Sequence, residues 1–164
     1  MKHEGGFTRN PKDRGNWTSG TIGVGELRGT NRGISAMRYP TEDIANLTRT
    51  RARALYHADF WNAVRGDELP PALAPMVFDF AVNSGPARAV PMLQQVLLVQ
   101  ADGVIGPRTL AAAATHPLRA ATKLARSRLL FLAALDKWPT FGSAWTTRTL
   151  ETLVLCARID AGVL

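Results

Sequence analysis

The sequence predicts a mostly α-helical domain with one irregular, glycine-rich lobe at its N-terminus. Three observations carry this. Eight of the 14 glycines fall within the first 33 of 164 residues, where few apolar residues recur at any period. Beyond about residue 48, apolar side chains return at three- and four-residue intervals, the spacing of one helix face. Proline and glycine mark where each helical stretch begins and stops.

Residues 1 to about 40 read as loop with one small hairpin around "WTSGTIGVGEL". "LTRTRARALYHADFW" opens with Thr48 as a helix cap and carries an apolar stripe at Ala52, Leu55, Tyr56 and Phe60. A second helix follows in "LPPALAPMVFDFAVNSGP", with its stripe at Leu73, Met76, Val77, Phe80 and Ala81 and its stop at Gly85-Pro86. "ARAVPMLQQVLLV" continues as helix through Val90, Leu93 and Leu97, and Pro91 either kinks it or marks its first turn. Asp102-Gly103 forms a tight turn, and Gly106-Pro107 starts the next helix where a missing N–H costs no hydrogen bond. A long helix is expected from Leu118 to about Lys137, on Ala121, Ala125, Leu129 and Leu132. The last, from about Ser143 to Ile159, shows Leu150, Leu153, Val154 and Ala157. The expectation is one domain, 1–164, without repeat or interdomain linker.

The chain carries 46% hydrophobic residues, enough for one shared core. Charged residues interrupt every apolar stretch well short of the ~20 residues that span a bilayer. No apolar segment follows the basic start "MKHEGG", so no signal peptide is read there; action outside the cytoplasm implies either another means of delivery or a natural N-terminus absent from this sequence. The single Cys156 excludes an internal disulfide framework and fits a chain made in a reducing compartment. A net charge of +7 implies attraction to nucleic acid, anionic lipid or an acidic wall polymer, or simply a solvated basic surface.

Most chemistries lack their motif. Gly23, Gly25 and Gly29 are spaced one residue too long for a dinucleotide fingerprint, and no βαβ pattern surrounds them. His3, His57, His116 and Cys156 have no ligand-pair spacing, so no metal site is expected. Ser84 lacks a nucleophile elbow. No element that reads base edges stands out, and nucleic acid is not an expected partner.

The carboxylates remain. Glu4 and Asp13 share a glycine-rich segment, where two acids read either as a solvated turn or as a catalytic pair. Glycoside hydrolysis needs such a pair, one acid protonating the leaving oxygen and a second group serving water or acting as nucleophile. Asp79 and Asn83 lie i, i+4 on one helical face, so that Asn83 either bonds a sugar acetamido group or caps its helix. Trp17, Trp61, Trp138 and Trp145 can stack on sugar rings; Trp61 and Trp138 also suit packing.

"EGGF", "GTNRGIS", "LYHADFWNAVRGDELPPALAPMVFDFAVNSGP", "DGVIGPRTL" and "WPTFGSAW", in this order, resemble the glycoside hydrolase family 108 muramidases of the lysozyme-like superfamily. The resemblance implies a lysozyme-like fold, with residues 1–85 as a catalytic half and 86–164 as a helical half similar to a peptidoglycan-binding region. It implies cleavage of the β-1,4 bond between N-acetylmuramic acid and N-acetylglucosamine in peptidoglycan strands. No cofactor is implied, and a monomer is expected. The protein would be made in the cytoplasm of a bacterium or phage-infected cell and act in the periplasm or cell wall. A related chain that only holds peptidoglycan, or serves phage or secretion assembly without cutting, is the alternative.

Carried over by position, Glu4 takes the role of proton donor to the glycosidic oxygen. Asp13, nine positions on, matches the superfamily's second acid, and Thr30, three residues before Gly33-Ile34, its threonine. Glu26 in the longer glycine-rich loop is a further candidate contributor. An acid of this kind must have a raised pKa, and desolvation against apolar surface is the usual means. Phe7, Trp17 and the helix bearing Phe80 are candidates for that wall. Asp13 would serve water on the opposite face of the sugar, an inverting scheme that needs roughly 6.5–9.5 Å between carboxyl groups.

Overall fold

The computed structural model describes residues 6–163. They form two compact units, one ending at Tyr56 and one beginning at His57. The first unit is mostly loop, as its glycines require. Its one regular sheet pairs β1 (Thr30–Asn31) with β2 (Ile34–Ser35), in antiparallel register Thr30↔Ser35 and Asn31↔Ile34. Arg32 and Gly33 between them both hold positive φ, 51° and 75°, as a type I′ hairpin turn demands. The hairpin expected around "WTSGTIGVGEL" is reduced to a single bridge between Trp17 and Leu27, because the glycines between them turn instead of extending.

Helix α1 (Arg49–Tyr56) closes this unit. Thr48 Oγ1 accepts from Arg51 N at 3.1 Å, the expected cap. Ala52, Leu55 and Tyr56 are buried, alongside Ile34, Ala36, Ile44 and Leu47. Asn31 is also buried, and its Nδ2 donates to the Ile44 carbonyl at 3.0 Å, so the polar group is satisfied where it sits.

The second unit opens with a π-helical turn (His57–Trp61) and a 3-10 turn (Asn62–Val64). Five helices follow: α2 (Ala74–Ser84), α3 (Pro86–Val96), α4 (Pro107–Thr115), α5 (Pro117–Ala133) and α6 (Trp138–Asp160). Each begins with proline in its first two positions, where the absent N–H has no intrahelical partner to lose. Pro91 lies inside α3, and the helix runs on through it. Helix α2 packs on α3, α5 and α6, and α5 packs on α6. Phe80, Met76, Val77, Leu93, Leu124 and Leu132 form the centre of this core.

The last helix departs from its expected form in two ways. It starts five residues early, at Trp138, because Pro139 suits a first turn better than a loop. Its buried residues are Gly142, Thr149 and Cys156, seven apart, whereas Leu150 and Val154 are 49% and 59% exposed. These side chains are small or polar, so an apolar-stripe reading does not detect that face; at Gly142 a Cβ would stand 2.7 Å from Cδ2 of Trp138 in the same helix.

Burial pushes the Cys156 thiol up to about 11 from an ordinary 9.0. The folded chain therefore keeps this proton where the unfolded chain releases it. The group's contribution to stability is whole below about pH 9 and is lost as pH rises through about 11. Urea midpoints across that range are expected to fall more steeply for the wild type than for Cys156→Ala. A thiol reagent at neutral pH should label Cys156 only on unfolding.

Candidate active site

Glu4 lies outside the described residues, and the site begins with the segment that follows it. Thr8 N donates to the Thr30 carbonyl and Thr30 N to the Thr8 carbonyl, both at 2.8 Å, so the chain just after "EGGF" is fastened to β1. Gly29 makes this possible. Its φ is +90°, and a Cβ there would stand 2.5 Å from the Thr8 carbonyl oxygen and 2.7 Å from Phe7 Cε2. Gly29→Ala should cost on the order of 1–3 kcal/mol and release the Thr8–Thr30 bridge. Faster hydrogen exchange at both amides, with a lower unfolding midpoint, is the expected readout.

Asp13 caps a 3-10 turn (Arg14–Asn16), its Oδ1 accepting from Gly15 N at 2.9 Å. At the far end of that turn Asn16 is fully buried. Its Nδ2 donates to the Asn10 carbonyl at 3.0 Å, its Oδ1 accepts from Thr30 Oγ1 at 2.7 Å, and its carbonyl accepts from Arg28 N and Gly29 N. Asp13 and Thr30 thus belong to one hydrogen-bonded frame, with Asn16 at its centre. Sequence reasoning missed Asn16, since nothing in "DRGNW" distinguishes a buried asparagine from a turn residue. Trp17 follows directly and donates its Nε1–H to the Pro11 carbonyl at 2.9 Å.

A groove of about 610 Å³ lies in the same unit, between residues 7–9, 26–28 and 41–45. It brings together Phe7 and Glu26 of the predicted set; Asp13, Trp17 and Thr30 are not in its lining. Arg28 Nε donates to Glu26 Oε2 at 2.6 Å, and this hydrogen bond, aided by the guanidinium charge, holds the Glu26 carboxyl below the usual range. Glu26 is therefore an anion at neutral pH and not a proton donor.

In the second unit, both oxygens of Asp79 are engaged. Arg128 Nη1 donates to Oδ2 at 2.7 Å, and Arg148 Nε lies 2.8 Å from Oδ1. Asn83 Oδ1 accepts from Ser84 Oγ at 3.0 Å. The end of α2 is closed by Gly85 N–H on the Ala81 carbonyl, not by the Asn83 side chain. In "DGVIGPRT", the buried Gln94 organises the turn: its Nε2 donates to Asp102 Oδ1 and the Val104 carbonyl, and its Oε1 accepts from Gly103 N. Of the four tryptophans, Trp61 packs edge-on to Phe78 at 5.5 Å and donates to Asp67, and Trp138 and Trp145 sit together at 6.3 Å. Among the described residues no group of three or more His, Cys, Asp or Glu side chains is placed to hold a metal ion. No described helix is long and apolar enough to cross a membrane.

Comparison with known proteins gives three findings. The family model Glycosyl hydrolase 108 matches residues 1–85. A solved structure described as "Structure of Brucella abortus SagA" aligns with a TM-score of 0.76 and 36% sequence identity, covering 95% of this chain and 88% of that one. No curated protein matches. The chain therefore belongs to glycosyl hydrolase family 108: it is a glycoside hydrolase with a mostly α, lysozyme-like fold.

Proposed function

We propose that the protein is a peptidoglycan hydrolase, an N-acetylmuramidase that cleaves the β-1,4 bond between N-acetylmuramic acid and N-acetylglucosamine with inversion. The observation that carries this is the Thr8–Thr30 bridge, which fastens the residue following the "EGGF" motif to the frame holding Asp13 and Thr30. Glu4, protonated, donates to the glycosidic oxygen as the bond to the anomeric carbon breaks. Asp13 takes a proton from water as the water oxygen bonds that carbon from the opposite face, and Thr30 orients the water through its hydroxyl. The +7 charge draws the enzyme to an anionic wall, an attraction that salt weakens. The place of action is then the periplasm or cell wall.

Digestion of purified walls, followed by borohydride reduction and mass spectrometry of the fragments, tests the bond. A muramidase leaves reduced muramic acid at the new ends. Reduced glucosamine would make it a glucosaminidase, and 1,6-anhydromuramic acid a lytic transglycosylase. The anomer of the first-formed product, followed by NMR, distinguishes inversion from retention.

A further inference from the structure

The lining of the groove in the first unit mixes charges in a way that a neutral sugar chain does not call for. Two guanidiniums, Arg9 and Arg28, and three carboxylates, Glu26, Glu42 and Asp43, line the groove together with apolar residues that include Phe7 and Ile44. Glu26 is paired with Arg28 and Glu42 with Arg51, so the lining presents both signs side by side and no single-sign face for a plain polyanion. A ligand bearing carboxylates and an ammonium together can use both signs.

The charges are fixed at neutral pH. The Arg51 hydrogen bond holds the Glu42 carboxyl below its usual range, and the hydrogen bonds from Asn46 do the same for Asp43. Arg28 is held at two points: its Nε meets Glu26 at 2.6 Å and its Nη1 donates to the Pro40 carbonyl at 2.9 Å. Arg9 Nε is anchored on the Leu27 carbonyl at 3.0 Å, which sets its guanidinium in the lining. Glu26 is 68% and Arg28 39% exposed, so their ion pair is of the weak surface kind that a ligand's own charges can replace.

We propose that this groove binds the short peptide stem carried by muramic acid, with stem carboxylates on Arg9 and Arg28 and the side-chain ammonium of a diamino acid on Glu42 and Asp43. The choice of this peptide rests on the muramidase reading above. The enzyme would then prefer strands that still bear their peptides to strands stripped of them.

The probe is the synthetic tripeptide L-alanyl-γ-D-glutamyl-meso-diaminopimelate, titrated into the full chain by calorimetry, with wall clearing measured on the same preparations. Binding is expected, weaker by about tenfold in Arg9→Glu, the loss of one charge-assisted hydrogen bond. It should also weaken as salt rises from about 0.01 M to about 1 M, where the screening length shrinks from ~30 to ~3 Å. Arg9→Gln, which keeps an N–H donor near the Leu27 carbonyl, replaces Arg9→Glu if the reversal lowers the unfolding midpoint. Absence of tripeptide binding, or equal binding by wild type and a folded Arg9 variant, overturns the assignment whether or not walls are cleared. Tripeptide binding without wall clearing supports the groove and overturns the muramidase reading instead.

Discussion

Glu4→Gln is expected to slow the clearing of a suspension of purified cell walls by about 10²–10⁴-fold, the usual worth of a positioned general acid. Glutamine matches glutamate in size and keeps hydrogen-bonding capacity, but it has no proton to give the departing oxygen. Binding to insoluble walls should survive, because a protonated carboxylic acid and an amide present similar donors and acceptors to a sugar. The pair of measurements separates chemistry from adhesion: pelleting with walls unchanged, turbidity loss abolished. Equal clearing by wild type and variant would remove Glu4 from the reaction and favour a chain that holds peptidoglycan without cutting it. Asp13→Asn is the natural companion, since its oxygen would still accept from Gly15 N and keep the turn, while losing the charge that takes a proton from water.

Asp79→Asn is expected to lower the stability of the second unit by about 3–5 kcal/mol, the cost of removing one partner from a buried ion pair. Arg128 has no exposed surface, and its guanidinium lies over the Phe80 ring at 5.5 Å. Its Nε and Nη2 donate to no protein atom among the described residues, so its contact with Asp79 is the main polar compensation for burying the charge. Desolvation pushes the pKa of Arg128 down, and the adjacent Asp79 carboxylate opposes that shift. Take the carboxylate charge away and the desolvation stands uncompensated. Urea unfolding of wild type, Asp79→Asn, Arg128→Met and the double variant forms a cycle in which the double should recover part of the loss, since apolar replacements of buried pairs are often tolerated. A loss of less than about 1 kcal/mol in the single variant would mean that the guanidinium escapes to water when its partner goes.

Much of the helical half was legible locally. Thr48 announced a helix start, Gly85-Pro86 and Gly106-Pro107 marked boundaries, and the stripe through Met76, Val77 and Phe80 identified the buried face of α2. The last helix was misread on its face, because Gly142, Thr149 and Cys156 carry little hydrophobic signal and are buried by close packing. Glu4, Asp13 and Thr30 are candidates through motif resemblance, Glu4 lying outside the described residues, whereas Asn16, the residue that links Asp13's turn to Thr30, carries no sequence mark.

Sequence alone determined what short-range physics can encode: the helix boundaries marked by Thr48, Gly85-Pro86 and Gly106-Pro107, which lobe must bend, and that the chain is basic with a single thiol. Tertiary structure alone decided which distant groups share a neighbourhood. Arg128 and Arg148 converge on Asp79 from 49 and 69 residues away, and the groove draws its lining from three separated segments. Periodicity and caps act over a few residues of chain, but which charges meet depends on how closely helices and loops pack, and packing is a property of the folded whole.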